Sequence, residues 1–263
     1  GLLFLLALLD LSVGVSNDAV NFLNSAIGSR VAIRRVIVAI AGLGVLAGSQ
    51  FSSGNKEVAR SGIFNPHMFT FADVMVIFLA VMLADVLLLD LYNTFAMPTS
   101  TTVSIVFELL GASVAVAALA VGSGADLDAV LAYVNVERAT LIIGGIGLSV
   151  VIAFVVGTVV QFFSRMLFTF QEKNHTRSIQ IAWSAFAVNA IAYFLFIKGL
   201  KGTSLVTPDL KAFVADNSLM LMLVALAIAL VVMWILDRLG VNLLAAVVLG
   251  GTFSLALAFA SND

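Results

Sequence analysis

Apolar runs of membrane-spanning length recur along this chain, and two of them carry polar interruptions. The runs occupy about 1–27, 36–51, 69–89, 101–121, 139–163, 179–197, 218–236 and 241–260. A bilayer's hydrocarbon core is about 30 Å thick and takes about 20 apolar residues in helical form. Because hydrocarbon offers the backbone no hydrogen bonds, only helices or closed barrels can cross it. The runs have helical length, unlike the ~10-residue alternating segments of a barrel. Composition agrees: 62% of residues are hydrophobic, 11% are charged and the mean hydropathy is +1.14. Soluble domains carry about 25% charged residues. The expected fold class is therefore all-α, a polytopic transmembrane helical bundle.

The first interruption is Gly14-Val15-Ser16-Asn17-Asp18-Ala19-Val20-Asn21. Asn and Asp side chains compete for backbone hydrogen bonds and so favour caps and turns. On a helix Asn17 and Asn21 share a face, with Asp18 beside them. One reading is a broken helix whose freed carbonyls take a cation and whose N–H groups take an anion. The other is a polar contact between helices. The second interruption is Asn93-Thr94-Phe95-Ala96-Met97-Pro98-Thr99-Ser100-Thr101-Thr102. Pro98 ends one helix and suits the start of another. Hydroxyl residues then fill the first turn of the next helix. N–H groups, the positive dipole end and hydroxyls together suit an oxyanion without any formal positive charge. Simple N-capping by Ser100 or Thr101 is the alternative.

Charge is distributed unevenly. No Lys or Arg lies between Arg60 and Arg138, whereas Asp73, Asp85, Asp90, Glu108, Asp126 and Asp128 fall in that interval. Asp126 and Asp128 read as loop acids. Asp85, Asp90 and Glu108 stand at or near membrane depth, where acids are protonated, neutralised by a bound cation, interfacial or paired with a distant Arg. Anion donors beside such carboxylates suggest an anion carried together with Na⁺ or H⁺. No Gly-x-x-x-x-Gly-Lys-[Ser/Thr] loop points to ATP. No nucleophile–base set or metal cluster points to an enzyme, and a net charge of −2 argues against nucleic acid. His67 and His175 stand far apart in loops, and Trp183 and Trp234 read as interface anchors. Alternating the loops places seven basic residues on one side and six on the other. The arginine-rich loop at Arg30, Arg34 and Arg35 is assigned to the cytoplasm.

Gly-x-Ser-Asn-Asp-x-x-Asn, followed by Asn-Thr-Phe-x-Met-Pro-Thr-Ser-Thr-Thr, resembles the inorganic phosphate transporter (PiT) family. That family's patterns are similar to G-[AS]-N-D-x-[AS]-N-[AS] and P-[VIT]-S-T-T-x. The resemblance implies an inverted-repeat secondary transporter in which each half carries both motifs, with a broken first helix and a re-entrant hairpin. Ser261-Asn262-Asp263 resembles the opening of a second copy, so the chain reads as a fragment. Residues 1–163 would be the first repeat with both polar motifs and 164–178 a connecting loop. Residues 179–263 would be further spans leading into a truncated second repeat.

By the same resemblance Asn17, Asp18, Asn21, Ser100, Thr101 and Thr102 would contact phosphate, joined by Asn262 and Asp263. Asp18, Asn93, Thr94 and Glu108 are the candidates for Na⁺, since carboxylates and hydroxyls are hard oxygen ligands. Many family members place His after the two threonines. Here Val103 follows, and Glu108, two turns past Ser100, would take that role. The function expected is symport of inorganic phosphate with Na⁺, or H⁺, by alternating access. A sulfate permease of the same fold and an anion channel are the alternatives. Phosphate can donate a hydrogen bond at neutral pH where sulfate cannot, so an acceptor such as Asp18 favours phosphate. The expected partners are phosphate, Na⁺ or H⁺ and the lipid bilayer, and the resemblance suggests a homodimer. No cofactor is expected, and the location expected is a bacterial inner membrane.

Overall fold

The computed structural model describes residues 1–50, 62–122, 126–168, 177–202 and 208–261. The expectations for His175, Asn262 and Asp263, and that for the Thr102 side chain, fall outside what is described. The described chain is helical: α1 (Leu2–Ser29), α2 (Arg34–Ser49), α3 (Phe71–Thr94), α4 (Thr101–Val121), α5 (Leu127–Leu131), α6 (Val136–Leu167), α7 (Arg177–Gly202), α8 (Pro208–Asp216), α9 (Ser218–Arg238) and α10 (Leu243–Ala260). Helices α1, α3, α4, α6, α7, α9 and α10 contain stretches long and apolar enough to cross a membrane. The chain is an integral, multi-pass membrane protein. At 1.5 Å per residue, the 16 residues of α2 reach only about 24 Å, short of the hydrocarbon thickness.

Local chemistry sets the helix ends. Thr70 and Asp73 form a reciprocal capping box at the start of α3: the Asp73 N–H donates to the Thr70 hydroxyl (3.2 Å) and the Thr70 N–H to the Asp73 carboxylate (2.9 Å). Asn242 caps α10 by accepting from the Ala245 N–H at 3.1 Å. Helix α9 ends on Gly240 at φ 76°, with the Val241 N–H reaching the Leu236 carbonyl and the Gly240 N–H the Asp237 carbonyl. This is the paired bond pattern of a left-handed helix terminus. The same pattern closes α3, but there Ala96 takes the left-handed position at φ 54°: Met97 bonds back to Tyr92 and Ala96 to Asn93.

The chain divides into two compact units. The first comprises residues 1–21 and 53–155. Its core joins Ile77 and Val81 of α3, Val106, Leu109, Val116 and Ala117 of α4, and Ile63, Phe64, Phe69 and Val130. The segments before α3 and after α5 are tied together by an isolated bridge between Phe64 and Val134. The Asn65 side chain adds a bond to the Ala132 carbonyl at 2.9 Å. The second unit comprises residues 22–52 and 156–261. Here α2 lies against α10 at very close range: a Cβ on Gly44 would fall 2.5 Å from the Phe253 carbonyl oxygen, and one on Gly48 closer still to the Leu257 carbonyl. Small residues permit this approach. Gly42, on the same helix, looks into open space. Helix α7 packs on both α9 and α10, with Ala185, Ala229, Met233 and Leu243 buried together.

Two expectations are corrected. The polar Ser16–Asn21 stretch does not break α1, which runs without interruption from Leu2 to Ser29. Asn17 instead turns its amide sideways to other elements, so it does not compete for the helix's own hydrogen bonds. The connection expected at 198–217 is partly helical, because α7 extends to Gly202 and Pro208 starts α8, as suits proline in a first turn. The hairpin at Pro98 forms from two long arms, α3 and α4, that pack on one another.

Candidate functional site

The two polar segments meet inside the first unit. The Asn17 amide nitrogen donates to the Asn93 side-chain oxygen (3.0 Å) and to the Met97 carbonyl (3.2 Å). Its oxygen accepts from the Thr99 backbone N–H at 2.9 Å. Asn93 in turn donates to the Val13 carbonyl at 3.1 Å. Both donors of the Asn17 amide and one oxygen lone pair are thus engaged. Asn17 is 4% exposed, and in low dielectric these bonds fix the turn 93–99 to one register against α1. This is the polar contact that the sequence left as an alternative reading of Asn17.

Around this clasp the motif residues separate into groups. Asp18 is buried, with both carboxylate oxygens out of solvent. Gly14 lies one turn earlier on the same helix face, and a Cβ there would sit 3.8 Å from the Thr101 methyl and from Leu89. The close approach of α1 to α3 and α4 at Gly14 puts Asp18 on the face that meets the start of α4. Thr101 is buried there. Ser100 caps α4, its hydroxyl accepting from the Val103 N–H at 3.4 Å. The first turn of a helix holds N–H groups that have no intrahelical carbonyl, so the motif sets amide donors and hydroxyls beside a carboxylate. Asn21, one turn beyond Asn17, is exposed, as is Thr94.

Glu108, seven residues into α4, stands apart from Asn93 and Thr94. Its two carboxylate oxygens are out of solvent. It belongs with Asp10 and Asp85, whose carboxyls interact with each other and with its own. Asp85 lies in the buried stripe Ile77, Val81, Asp85, Leu89 of α3. Asp10 and Asp85 line a cavity of about 330 Å³ together with Gly14, Leu89, Thr101 and Ile105. The cavity therefore connects the acid group to both motif segments. Asp10 was missed from the sequence, although an acid eight residues before Asp18 in an apolar run was the visible signal. The four residues expected to hold Na⁺ are thus dispersed: Asp18 is buried on the face toward the start of α4, Asn93 is in the Asn17 clasp, Thr94 is exposed and Glu108 is in this acid group. Among the described residues no set of three or more His, Cys, Asp or Glu is arranged to hold a metal ion.

Comparison with known proteins completes this picture. The profile of the Phosphate transporter family matches residues 14–225, a range that includes both motifs. The "Putative phosphate permease TK2061" of Thermococcus kodakarensis is 28% identical over 201 residues, covering 73% of this chain and 45% of that protein. The chain thus spans less than half the length of this relative. A solved structure named "The sodium-dependent phosphate transporter" shares the fold, with a TM-score of 0.61 at 18% identity, over 99% of this chain and 76% of its own.

Proposed function

The chain belongs to the phosphate transporter family, and from that membership we propose that it serves a secondary active transporter that moves inorganic phosphate with a coupling cation. Na⁺ is the first choice of cation, and transport would proceed by alternating access. The observation that carries the reading is the hydrogen-bonded clasp of Asn17 with Asn93, Met97 and Thr99. It holds the carboxylate-bearing face of α1 against the amide- and hydroxyl-rich start of α4.

In this reading Asp18 accepts a hydrogen bond from protonated phosphate, while Ser100, Thr101, Thr102 and the first-turn N–H groups donate to its oxygens. Asn17 positions both sides, and Asn21 reaches the anion from the next turn. Asn262 and Asp263 belong to a second copy of the first motif, which would complete the site in an inverted repeat. A cation near Asp18, Asn93 and Thr94 offsets the charge of carboxylate and anion.

A second reading, coupling to H⁺, is favoured by one observation. Asp10 and Asp85 line the same cavity and interact with Glu108, the acid that stands past the hydroxyl motif. Sulfate as cargo, or channel-like flux, would preserve the same donors but not the acceptor role of Asp18. The test is uptake of labelled phosphate by liposomes containing the full-length protein, with Na⁺ and pH gradients imposed separately. Stimulation by the Na⁺ gradient is expected, and it should disappear in Asp18→Asn while the variant still folds. Uptake that ignores both gradients would overturn symport, and full competition by sulfate would overturn the assignment of the anion.

A further inference from the structure

A second cavity, in the other unit, is lined by Asn189, Ala192 and Tyr193 of α7, Val214 of α8, and Ser218, Leu221, Met222 and Ala225 of α9. Its volume is about 240 Å³. Asn189 is 5% exposed, and its side-chain oxygen is out of solvent with no hydrogen-bond donor among the described residues. A buried amide oxygen left in that state costs about 1–3 kcal/mol, so a native site with this feature calls for a donor from elsewhere.

The chemistry of the walls selects the donor. Among the described residues the lining is mostly apolar, with the Tyr193 and Ser218 hydroxyls its other polar groups, and it includes no Lys or Arg to attract an anionic headgroup. One amide oxygen and two hydroxyls are a poor match for a hard cation, which takes six or more oxygens. A single bound water would find polar partners in Asn189, Tyr193 and Ser218 but would fill only a small part of a largely apolar cavity of this volume. What remains is an uncharged amphiphile with one hydroxyl and an alkyl body.

Depth in the bilayer narrows the source. The apolar span of α9 begins at Ser218, and the apolar run of α7 ends at Ile197, just before Lys198. Asn189 lies eight residues inside that end, about 12 Å at 1.5 Å per residue, and Ala225 lies about two turns inside the start of α9. The cavity thus occupies the outer part of the membrane, where the glycerol group of a lipid meets its acyl chains. Its volume equals roughly eight water-sized groups at ~30 Å³ each. That is room for a glycerol hydroxyl and the first carbons of a chain. We propose that the α7–α8–α9 cavity is a binding site for a neutral, hydroxyl-bearing lipid of the mono- or diacylglycerol type, whose hydroxyl donates to Asn189.

Native mass spectrometry of the full-length protein in detergent tests this, with monooleoylglycerol as the probe and methyl oleate, which has no hydroxyl, as its comparison. Wild type should retain monooleoylglycerol about fivefold better, the equivalent of one modest hydrogen bond. Asn189→Leu should hold both equally. Ala225→Phe, which fills the cavity and leaves Asn189 in place, should hold neither. Both variants should keep wild-type phosphate uptake and melting, and should one of them fail to fold, the other still decides the matter. Equal retention by wild type would show a site filled by water or by apolar packing alone and would overturn the proposal. So would a preference that survives in Asn189→Leu or in Ala225→Phe.

Discussion

Replacing Asn17 by Ala removes three hydrogen bonds at once: to the Asn93 oxygen, to the Met97 carbonyl and from the Thr99 N–H. Hydrogen bonds between membrane helices average about 0.6 kcal/mol in double-mutant cycles, with a maximum near 1.7. Three of them are worth about 2 kcal/mol at the average and about 5 kcal/mol at the maximum. The upper half of that range applies if the orphaned groups stay buried, because a polar group left dry costs about 1–3 kcal/mol by itself. Unfolding of the full-length protein in mixed micelles of rising SDS fraction measures the loss. A double-mutant cycle with Asn93→Ala isolates the single shared bond, with an expected coupling of about 0.6 to 1.7 kcal/mol. Asn93→Ala also forfeits its bond to the Val13 carbonyl, so its own cost is about two bonds. If Asn17→Ala loses less than about 0.5 kcal/mol, or if the cycle shows no coupling, the clasp is not what holds the two motifs in register.

Gly48→Ala should lower the folded yield and the SDS tolerance sharply, because its Cβ would collide with the Leu257 backbone, whereas Gly42→Ala should be neutral. Equal effects of the two would refute the close packing of α2 on α10. Ala96→Gly should stabilise the protein by about 1 kcal/mol, since Ala96 occupies the left-handed region at φ 54°; a lowered melting temperature would contradict this. Glu108→Gln should change the pH dependence of phosphate uptake while leaving the protein's thermal stability close to wild type. An unaltered pH profile would remove Glu108 from the coupling mechanism.

Much of this architecture was legible because hydropathy is a local property. The runs at 69–89, 139–163 and 218–236 became α3, α6 and α9 because apolar length alone decides a membrane helix. Exposure along α6 fits this: Leu148, Val150, Val151, Ile152 and Phe154 are all exposed, as a lipid-facing helix requires. The cap at Ser100 was legible for the same reason, since capping is settled within four residues. What failed to show was non-local. Asn17 and Asn93 are 76 positions apart, and nothing within either segment says that each will meet the other's polar group. Without that partner the run of Asn and Asp reads as a helix breaker, and with it α1 stays whole. Asp10 escaped for a related reason. A lone acid in an apolar run looks interfacial until Asp85, on another helix, is seen to share its cavity.

The electrostatics of the site bear on why transport through it would need a cation. The sequence from Arg60 to Arg138 supplies no Lys or Arg within that interval, while Asp18, Asp85 and Glu108 bring carboxyls to the same unit. A phosphate charge about 5 Å from a carboxylate is repelled by about 3 kcal/mol at an effective dielectric of 20. Dipoles and hydroxyls of the α4 terminus return about 0.3–1 kcal/mol for each favourable terminus interaction, and up to about 2 when partly buried. That falls short once phosphate carries a second charge. A Na⁺ or proton at comparable distance cancels the repulsion with a term of the same size and opposite sign. An arginine in this place would bind the anion with or without a gradient and so would remove the need for coupling. In the proposed reading, a neutral donor set beside a buried acid would make phosphate binding conditional on the cation, and that conditionality is what a symporter requires.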